Sequence, residues 1–335
     1  MLRIIHRKIR GLPTPIAGLA LGISSIGWCL ENTLPLHGMG QNIGALIAAV
    51  LLFAVASKFV LHFGTLLSDL KHPVVGSVVP TFTMGCMVVS KALGNFSVLS
   101  GEILWSLAVI IHLIFLAAFI YHRLQEIEMH HMVPSWFVPP VGIIVASVAV
   151  PNQAFMGIAY ILLMIGMLSY ACMLPMMIYR FMFCREVPDA AKPTIAIMAA
   201  PASLSLAGYL TVVPNPSLLV CALLFGIAIL MTAVIYMAFF RLLKLPFSPG
   251  YAAFTFPMAI GATALYKLAN LVGQYELARD YSYQLHCLAT FEAAVATLII
   301  FYVAVRYVFN WVFPCCGGCC RLFAVYPTTG GKPLE

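Results

Sequence analysis

Apolar residues occur along this chain in long runs that are separated by short polar stretches. Because a helix needs about 20 predominantly apolar residues to cross a bilayer, each run predicts one membrane-spanning α-helix, and the pattern predicts ten. The predicted spans cover residues 14–30, 41–63, 73–93, 100–122, 134–151, 154–182, 193–213, 217–243, 250–271 and 284–310. We therefore expect an all-α integral membrane protein.

The composition supports the same class. Of the 335 residues, 62% are hydrophobic and 9% are charged, whereas about 25% of the residues in soluble domains are charged. A water-soluble core of this size cannot bury so many apolar residues. We expect one transmembrane domain over residues 1–310, with a short basic leader at 1–12, and a Cys-rich cytoplasmic tail at 311–335. The lipid bilayer is the first expected partner.

The distribution of positive charge predicts the orientation. An even number of spans places both termini on one side, and 15 of the 18 Lys and Arg residues fall in the termini and loops of that side. Only Lys91, Lys267 and Arg279 fall on the opposite side. Since cytoplasmic loops carry the excess of Lys and Arg, we predict that both termini are cytoplasmic. The expected location is the inner (cytoplasmic) cell membrane.

Prolines recur at a regular spacing inside the odd-numbered spans. Pro15, Pro80, Pro140, Pro201 and Pro257 are separated by 65, 60, 61 and 56 residues, which is the length of two membrane helices with their loops. The spacing predicts five copies of one helical hairpin. A proline inside a helix leaves the carbonyl four residues earlier without its donor, and lipid supplies none. We therefore predict that the kinked odd spans face inward and that the even spans surround them.

Five inner helices are enough to enclose a central pore, and we expect the polar groups in their middle to line it. Hydroxyls and freed carbonyls can hold a partly dehydrated ion without trapping it. The pore-lining candidates are Pro15, Pro80, Thr81, Thr83, Pro140, Ser147, Pro201, Ser203, Ser205, Thr255, Pro257 and Thr263. The alternative is that these hydroxyls bond to the backbone of their own helices.

Charged residues in the spans bear on the transported species. Lys91 and Lys267, near the outer ends of the third and ninth spans, are pore-mouth candidates that would concentrate anions; alternatively they snorkel to the headgroups. The odd spans carry no Asp or Glu in their middle, which favours passive flow, because proton-coupled carriers usually need a carboxylate within the membrane. His112 and Glu292, in even spans, are the groups to test if coupling occurs.

The cysteines give a weak signal for a metal site. Two Cys pairs in the tail, Cys315, Cys316, Cys319 and Cys320, could bind a soft metal or carry a lipid. Because no His or further Cys set completes a zinc site, we expect neither a metal nor a cofactor.

A polar cluster follows the fourth span. His130 and His131, beside Glu126 and Glu128, form either a metal or pH-sensing cluster or a solvated loop. The sequence contains neither a nucleotide-binding glycine loop nor a zinc-protease motif, so we do not expect an enzyme. Topology accounts for the basic residues, so they do not indicate nucleic acid binding.

Four stretches resemble the tellurite-resistance/dicarboxylate transporter family, which includes bacterial TehA and the plant slow-type anion channels. These stretches are LPTPIAGLALG at 12–22, PSWFVPP at 134–140, APA at 200–202 and AFTFPM at 253–258. The resemblance extends over about residues 11–310 and leaves out the leader and the tail.

The resemblance implies a homotrimer in which each subunit has its own pore, with five hairpins in a quasi-fivefold arrangement. In such relatives a phenylalanine of the ninth span closes the pore, and Phe256, the second Phe of the Phe-Thr-Phe-Pro motif, is the matching residue. The implied function is an anion-selective channel for small inorganic anions. The alternative is a secondary transporter, proton-coupled or not, of C4-dicarboxylate, sulfite or tellurite-related oxyanions.

Overall fold

The protein is helical wherever its structure is described. The computed structural model describes residues 9–126, 128–184 and 186–312, and these ranges contain α-helices and 3₁₀-helices but no β-strand. The first eight residues of the basic leader lie outside the described residues, as does the tail beyond residue 312 with Cys315, Cys316, Cys319 and Cys320.

Ten helical segments, α1 to α10, correspond to the ten predicted spans. They are α1 Ile16–Glu31, α2 Met39–Leu61, α3 Val75–Gly94, α4 Val98–Gln125, α5 Pro134–Val148, α6 Gln153–Phe183, α7 Lys192–Val212, α8 Leu218–Leu242, α9 Pro249–Val272 and α10 Arg279–Asn310. In the described part of the chain, eight segments are long and apolar enough to cross a membrane, whereas α1 and α5 are shorter. The predicted ends lie within five residues of the observed ends.

Burial divides the segments into two groups. In the most apolar part of α3, α7 and α9, 67%, 78% and 78% of the residues are buried, whereas the even-numbered segments reach only 28% to 39%. The even segments expose large apolar side chains such as Phe53, Leu219 and Phe240, as expected for surfaces that contact lipid. The odd segments are therefore the enclosed ones.

The prolines act as junctions rather than as kinks in continuous α-helices. In α7 a 3₁₀-helix, Lys192–Ala199, precedes an α-helix, Ala200–Val212, in which Pro201 occupies the first turn. In α9 the 3₁₀-helix Pro249–Phe254 precedes the α-helix Phe256–Val272 with Pro257 in its first turn. This arrangement differs from the predicted kink because a proline in the first turn removes an N–H that has no helical partner anyway.

Side chains of an even segment pair the carbonyls of the most irregular odd segment. Segment α5 consists of four short α and 3₁₀ pieces. His112 Nε2 of α4 lies 2.8 Å from the Pro139 carbonyl oxygen, and Trp105 Nε1 donates to the Ala146 carbonyl at 3.1 Å. Since lipid offers no donor, these bonds explain how a broken helix is accommodated at this depth.

A short helix that the apolar runs do not predict connects α2 to α3. It spans Phe63–Lys71, and its Leu66 and Leu70 are buried while Leu67 is exposed. This helix returns towards the end of α2, so that Asp69 comes within 3.2 Å of Lys58.

Glycines allow α1 and α2 to pack at close range. A Cβ atom on Gly27 of α1 would lie 2.5 Å from the Gly40 carbonyl oxygen, and one on Gly44 of α2 would lie 2.9 Å from the Ile23 carbonyl oxygen. Small residues permit this backbone approach, and packing between helices drives association in lipid.

We predict that Gly27→Ala lowers the free energy of unfolding in mixed detergent micelles by about 1–3 kcal/mol, because the added methyl group forces the two helices apart. The matched control is Gly226→Ala, at a position in α8 where a Cβ atom meets nothing within 4 Å. Equal unfolding free energies for the two variants would contradict the close packing of α1 on α2.

Candidate functional site

All five odd segments contribute to one cavity of about 1150 Å³. Their first halves line it together with the loop before α9, and α10 contributes its last turns. Lys58, Asp69, Asp189 and Arg306 also line the cavity. We call the side of the molecule on which these charged groups lie the basic face.

The cavity extends about halfway along each odd segment. The lining residues farthest along the five segments are Leu21, Met84, Gly142, Leu204 and Pro257, and each of these lies near the middle of its segment. Phe256 is also a lining residue and is only 8% exposed. Its side chain therefore lies at the inner end of the cavity.

The backbone that carries Phe256 is held tightly against α1. The Thr255 hydroxyl lies 3.1 Å from the Gly18 carbonyl oxygen and 2.7 Å from the Ala252 carbonyl oxygen. A Cβ atom on Gly22 would lie 2.4 Å from Thr255 Oγ1 and 3.2 Å from the Phe256 nitrogen. Among the described residues, the Phe256 ring pairs with no other aromatic ring. The backbone is thus fixed, while the ring can change rotamer without breaking an aromatic contact.

The structure brings five of the predicted site residues to this cavity. They are Pro15, Thr81, Pro201, Phe256 and Pro257. The candidates Pro80, Thr83, Pro140, Ser147, Ser203, Ser205, Thr255 and Thr263 are not among its lining residues.

Most of the predicted lining hydroxyls already donate a hydrogen bond to a backbone carbonyl. Thr81, Ser147, Ser203 and Thr263 donate to the carbonyls of Val78, Ala159, Ala199 and Ala259. The Thr83 hydroxyl lies 2.7 Å from the Pro80 carbonyl oxygen and 2.9 Å from His112 Nδ1. Within the described chain Ser205 Oγ is buried and has no partner. Because a hydroxyl has one hydrogen, those that are bonded have none left for an anion. Thr81, Ser203 and Thr263 bond to their own segments, as the alternative interpretation expects, whereas Ser147 bonds to α6.

Two basic residues at the cavity escaped the sequence-based list of site residues. In the sequence-based prediction, Lys58 and Arg306 serve only to assign the orientation of the spans, because a basic residue near the end of a span usually marks the cytoplasmic side. A signal does exist for Lys58, since a lysine inside an apolar run must find a partner. It donates to Thr14 Oγ1 at 2.7 Å and to Asp69 Oδ2 at 3.2 Å.

A histidine caps the start of α3 beside the cavity. His72 Nδ1 accepts hydrogen bonds from the backbone N–H groups of Val74 and Val75, each at 3.2 Å. Burial lowers the pKa of His72, an effect that the Asp69 carboxylate opposes and the Arg123 guanidinium reinforces. The lowered pKa keeps Nδ1 available as an acceptor.

The two predicted pore-mouth lysines come together on the side opposite to the basic face. Lys91 Nζ donates to the Val150 carbonyl at 2.9 Å, and its charge is close enough to repel that of Lys267. In the described part of the chain neither lysine has a carboxylate within ion-pair distance. Two cations therefore lie together without neutralisation.

The buried ionisable residues of the even segments differ in their surroundings. His112 lies 2.9 Å from Thr83 Oγ1 on one side and 2.8 Å from the Pro139 carbonyl oxygen on the other, so both ring nitrogens are engaged. Glu292 of α10 is 4% exposed, and a Cβ atom on Gly261 would lie 2.9 Å from its carboxylate. His112 therefore has a structural task, whereas Glu292 lies against a helix surface in the interior.

The loop cluster contains an ion pair between two of its described residues. His131 Nε2 lies 3.5 Å from Glu128 Oε2, and both side chains are exposed; the side chain of His130 lies outside the described residues. Within the described ranges, no three His, Cys, Asp or Glu side chains are grouped so as to hold a metal ion.

Comparison with known proteins identifies the family. The SLAC1 family, described as voltage-dependent anion channels, matches residues 16–308, a range that begins with α1 and ends within the last turn of α10. The chain belongs to the SLAC1 family. This finding confirms the resemblance to the tellurite-resistance/dicarboxylate transporter family, and the family consists of membrane transporters and channels.

Two similar proteins come from Methanocaldococcus jannaschii. The uncharacterized transporter MJ0576 is 26% identical over 226 residues, which is 60% of this chain and 65% of that protein. The uncharacterized transporter MJ0762 is 24% identical over 241 residues, which is 64% of this chain and 70% of that protein. The match to MJ0576 thus covers slightly less than two thirds of that protein.

We predict that removal of Lys58 destabilises this SLAC1 family member through the carboxylate that it leaves behind. Lys58→Met should lower the free energy of unfolding by about 2 kcal/mol, below the about 3–5 kcal/mol of a fully buried pair, because the Asp69 side chain is 22% exposed. Lys58→Met combined with Asp69→Asn should recover part of that loss.

The matched control is Lys192→Met, which breaks the ion pair with Asp189, whose side chain is 83% exposed. Such an exposed pair contributes about 0–1 kcal/mol to the free energy of unfolding. If Lys58→Met and Lys192→Met had the same effect, the internal role of the Lys58 pair would be wrong.

Proposed function

We propose that this protein is an anion-selective channel whose pore runs between the five odd segments and is closed at mid-membrane by Phe256. The observation that carries the proposal is the cavity: every odd segment lines it, and it stops at the level of Phe256. Membership of a family described as anion channels supports the same function.

A phenylalanine ring is a suitable barrier for an anion. The ring excludes water from a narrow passage, and an anion that reaches it loses hydration that an apolar group cannot replace. The face of the ring also carries negative quadrupole density. A rotamer change of Phe256 would open the passage while the backbone stays anchored through Thr255 and Gly18.

Electrostatics favours anions over cations. Lys91 and Lys267 form a positive mouth on the side opposite to the basic face, and rings of basic residues select anions in pores. The excess of Lys and Arg on the basic face supports an orientation in which this face and both termini are cytoplasmic. We place the protein in the inner cell membrane.

In the assembly that we propose, α1 and α5 also cross the membrane, so that ten helices form five hairpins in a quasi-fivefold arrangement. A broken segment can be shorter than an isolated spanning helix because neighbouring protein, not lipid, surrounds it. We propose one channel domain over residues 1–310, a cytoplasmic tail at 311–335, and a homotrimer in which each subunit has its own pore. The family likeness supports the trimer.

The second candidate is a proton-coupled carrier of C4-dicarboxylate, sulfite or tellurite-related oxyanions. The buried carboxyl group of Glu292 favours it, because ionisable groups within a membrane usually serve a function. Reversal potentials separate the two candidates. A channel follows the anion gradient alone, whereas a proton-coupled carrier shifts its reversal potential with pH, and Glu292→Gln would abolish that shift.

We predict that Phe256→Ala, which removes the ring from the passage, raises the anion conductance by about tenfold or more. A tenfold rise corresponds to a barrier that is lower by about 1.4 kcal/mol. The measurement is the current in planar bilayers or oocytes at equal surface expression. Phe256→Leu is the matched control, because a leucine side chain still fills the passage with apolar atoms and should keep the conductance low. Equal currents from wild type and Phe256→Ala would rule out Phe256 as the gate.

A further prediction concerns the positive mouth. In the Phe256→Ala background, Lys91→Met combined with Lys267→Met should lower the permeability of chloride relative to sodium by several-fold, because the mouth no longer concentrates anions. The effect should shrink as the salt concentration rises, since salt screens exposed charges. The matched control is Arg279→Met, which removes a basic residue from the same side at a position away from the pair. Unchanged permeability ratios in the double variant would show that the lysines only contact headgroups.

A further inference from the structure

Among the described residues that line the cavity, one charged group has no carboxylate to neutralise it. The charged side chains of these residues are Lys58, Asp69, Asp189 and Arg306. Lys58 pairs with Asp69 at 3.2 Å, and Asp189 pairs with Lys192 at 2.6 Å. Within the described chain Arg306 has no Asp or Glu within ion-pair distance. The remaining charge of the cavity wall is therefore positive and is located at Arg306.

Aromatic rings hold the guanidinium of Arg306. Its Cζ atom lies 5.5 Å from the centroid of the Phe247 ring, 5.9 Å from that of Tyr251 and 5.8 Å from that of Tyr302. Cation–π attraction fixes the position of the group, but it uses the faces of the rings and satisfies none of the N–H donors by a conventional hydrogen bond.

At least one N–H donor of Arg306 has no acceptor among the described residues. Nε is buried without an acceptor among the described residues, and Nη1 reaches the Tyr302 hydroxyl only at 3.4 Å. A guanidinium carries five N–H donors in a planar fork that matches oxygen pairs. Buried donors normally have partners, so the unpaired Nε–H of a side chain that lines the cavity indicates a missing acceptor.

The surroundings of Arg306 are preorganised. The Tyr251 hydroxyl donates to the Leu245 carbonyl at 2.5 Å, and the Tyr307 hydroxyl donates to the Pro249 carbonyl at 2.5 Å. These bonds fix two of the surrounding elements, the 3₁₀-helix Pro249–Phe254 and the end of α10. A preorganised donor group binds a ligand with less loss of entropy.

We propose that Arg306 is an anion-binding site in the cytoplasmic half of the pore, selective for small planar oxyanions such as nitrate, bicarbonate or a short carboxylate. Two parallel N–H···O bonds to one oxyanion use the fork of the guanidinium, whereas chloride is a single spherical acceptor and cannot receive two parallel bonds on separate atoms. The inference rests on the proposed channel function, and it adds a determinant of which anions enter from the cytoplasm.

The first test measures binding without transport. The melting temperature of the purified full chain in detergent is recorded while sodium nitrate replaces sodium chloride at constant ionic strength. Nitrate should raise the melting temperature of the wild type, and Arg306→Gln should abolish the rise. Arg306→Lys retains the charge but not the planar fork, so its melting temperature should be the same in the two salts. A nitrate effect that persists in both variants would overturn the site.

The second test measures conduction in the Phe256→Ala background. Arg306→Gln should raise the half-saturating cytoplasmic nitrate concentration by about tenfold, and Arg306→Lys should make nitrate and chloride equivalent. The control is Arg241→Gln, which removes an exposed basic residue that does not line the cavity and should change the value less than twofold. An unchanged half-saturating nitrate concentration in Arg306→Gln would overturn the site. If Phe256→Ala passed no current at all, the proposed channel function would be wrong, and the melting-temperature test alone would decide whether Arg306 binds the anion.

Discussion

The constraint on which this structure depends is that hydrocarbon provides no partner for a backbone carbonyl. Segments α3, α5, α7 and α9 are interrupted at or next to a proline, and α1 begins directly after one; each interruption leaves backbone groups that only protein or water can pair. His112 and Trp105 of α4 supply donors to α5, and Thr255 of α9 supplies one to α1. The unbroken even segments need no such help, so they can face lipid with their apolar side chains.

The same interruptions account for the candidate pore. Five segments that cannot face lipid must face one another, and their first halves enclose the cavity. The junction in α9 places Phe256 in the first turn of an α-helix, where the backbone is anchored and the ring is not. In the pore that we propose, charge lies at the two ends, at Arg306 on one side and at Lys91 and Lys267 on the other, and the ring of Phe256 lies between them. We infer passive flow from this distribution.

The sequence predicts the ten segments and their ends well, because apolar runs of membrane length leave little choice of structure. It also directs attention to Phe256, through a motif that only family likeness makes meaningful; Phe256 lines the cavity, and its role as a gate stays a prediction. It misses the 3₁₀ junctions, since tertiary packing decides whether a proline kinks a helix or starts one. It misses the helix Phe63–Lys71, which is too short for a hydropathy signal. It also misses the place of Arg306 in the cavity wall, because a basic residue at a helix end already has an explanation in topology.

The central claim is that the odd segments enclose a water-accessible passage interrupted at Phe256. Cysteine accessibility tests it most directly, in a background without reactive native cysteines and with a membrane-impermeant thiol reagent applied to the basic face. The account predicts that Ala200→Cys, in the cavity wall, reacts in the wild type, and that Ser205→Cys reacts only when Phe256→Ala is also present. Protection of Ala200→Cys, or equal reactivity of Ser205→Cys with and without Phe256, would contradict it.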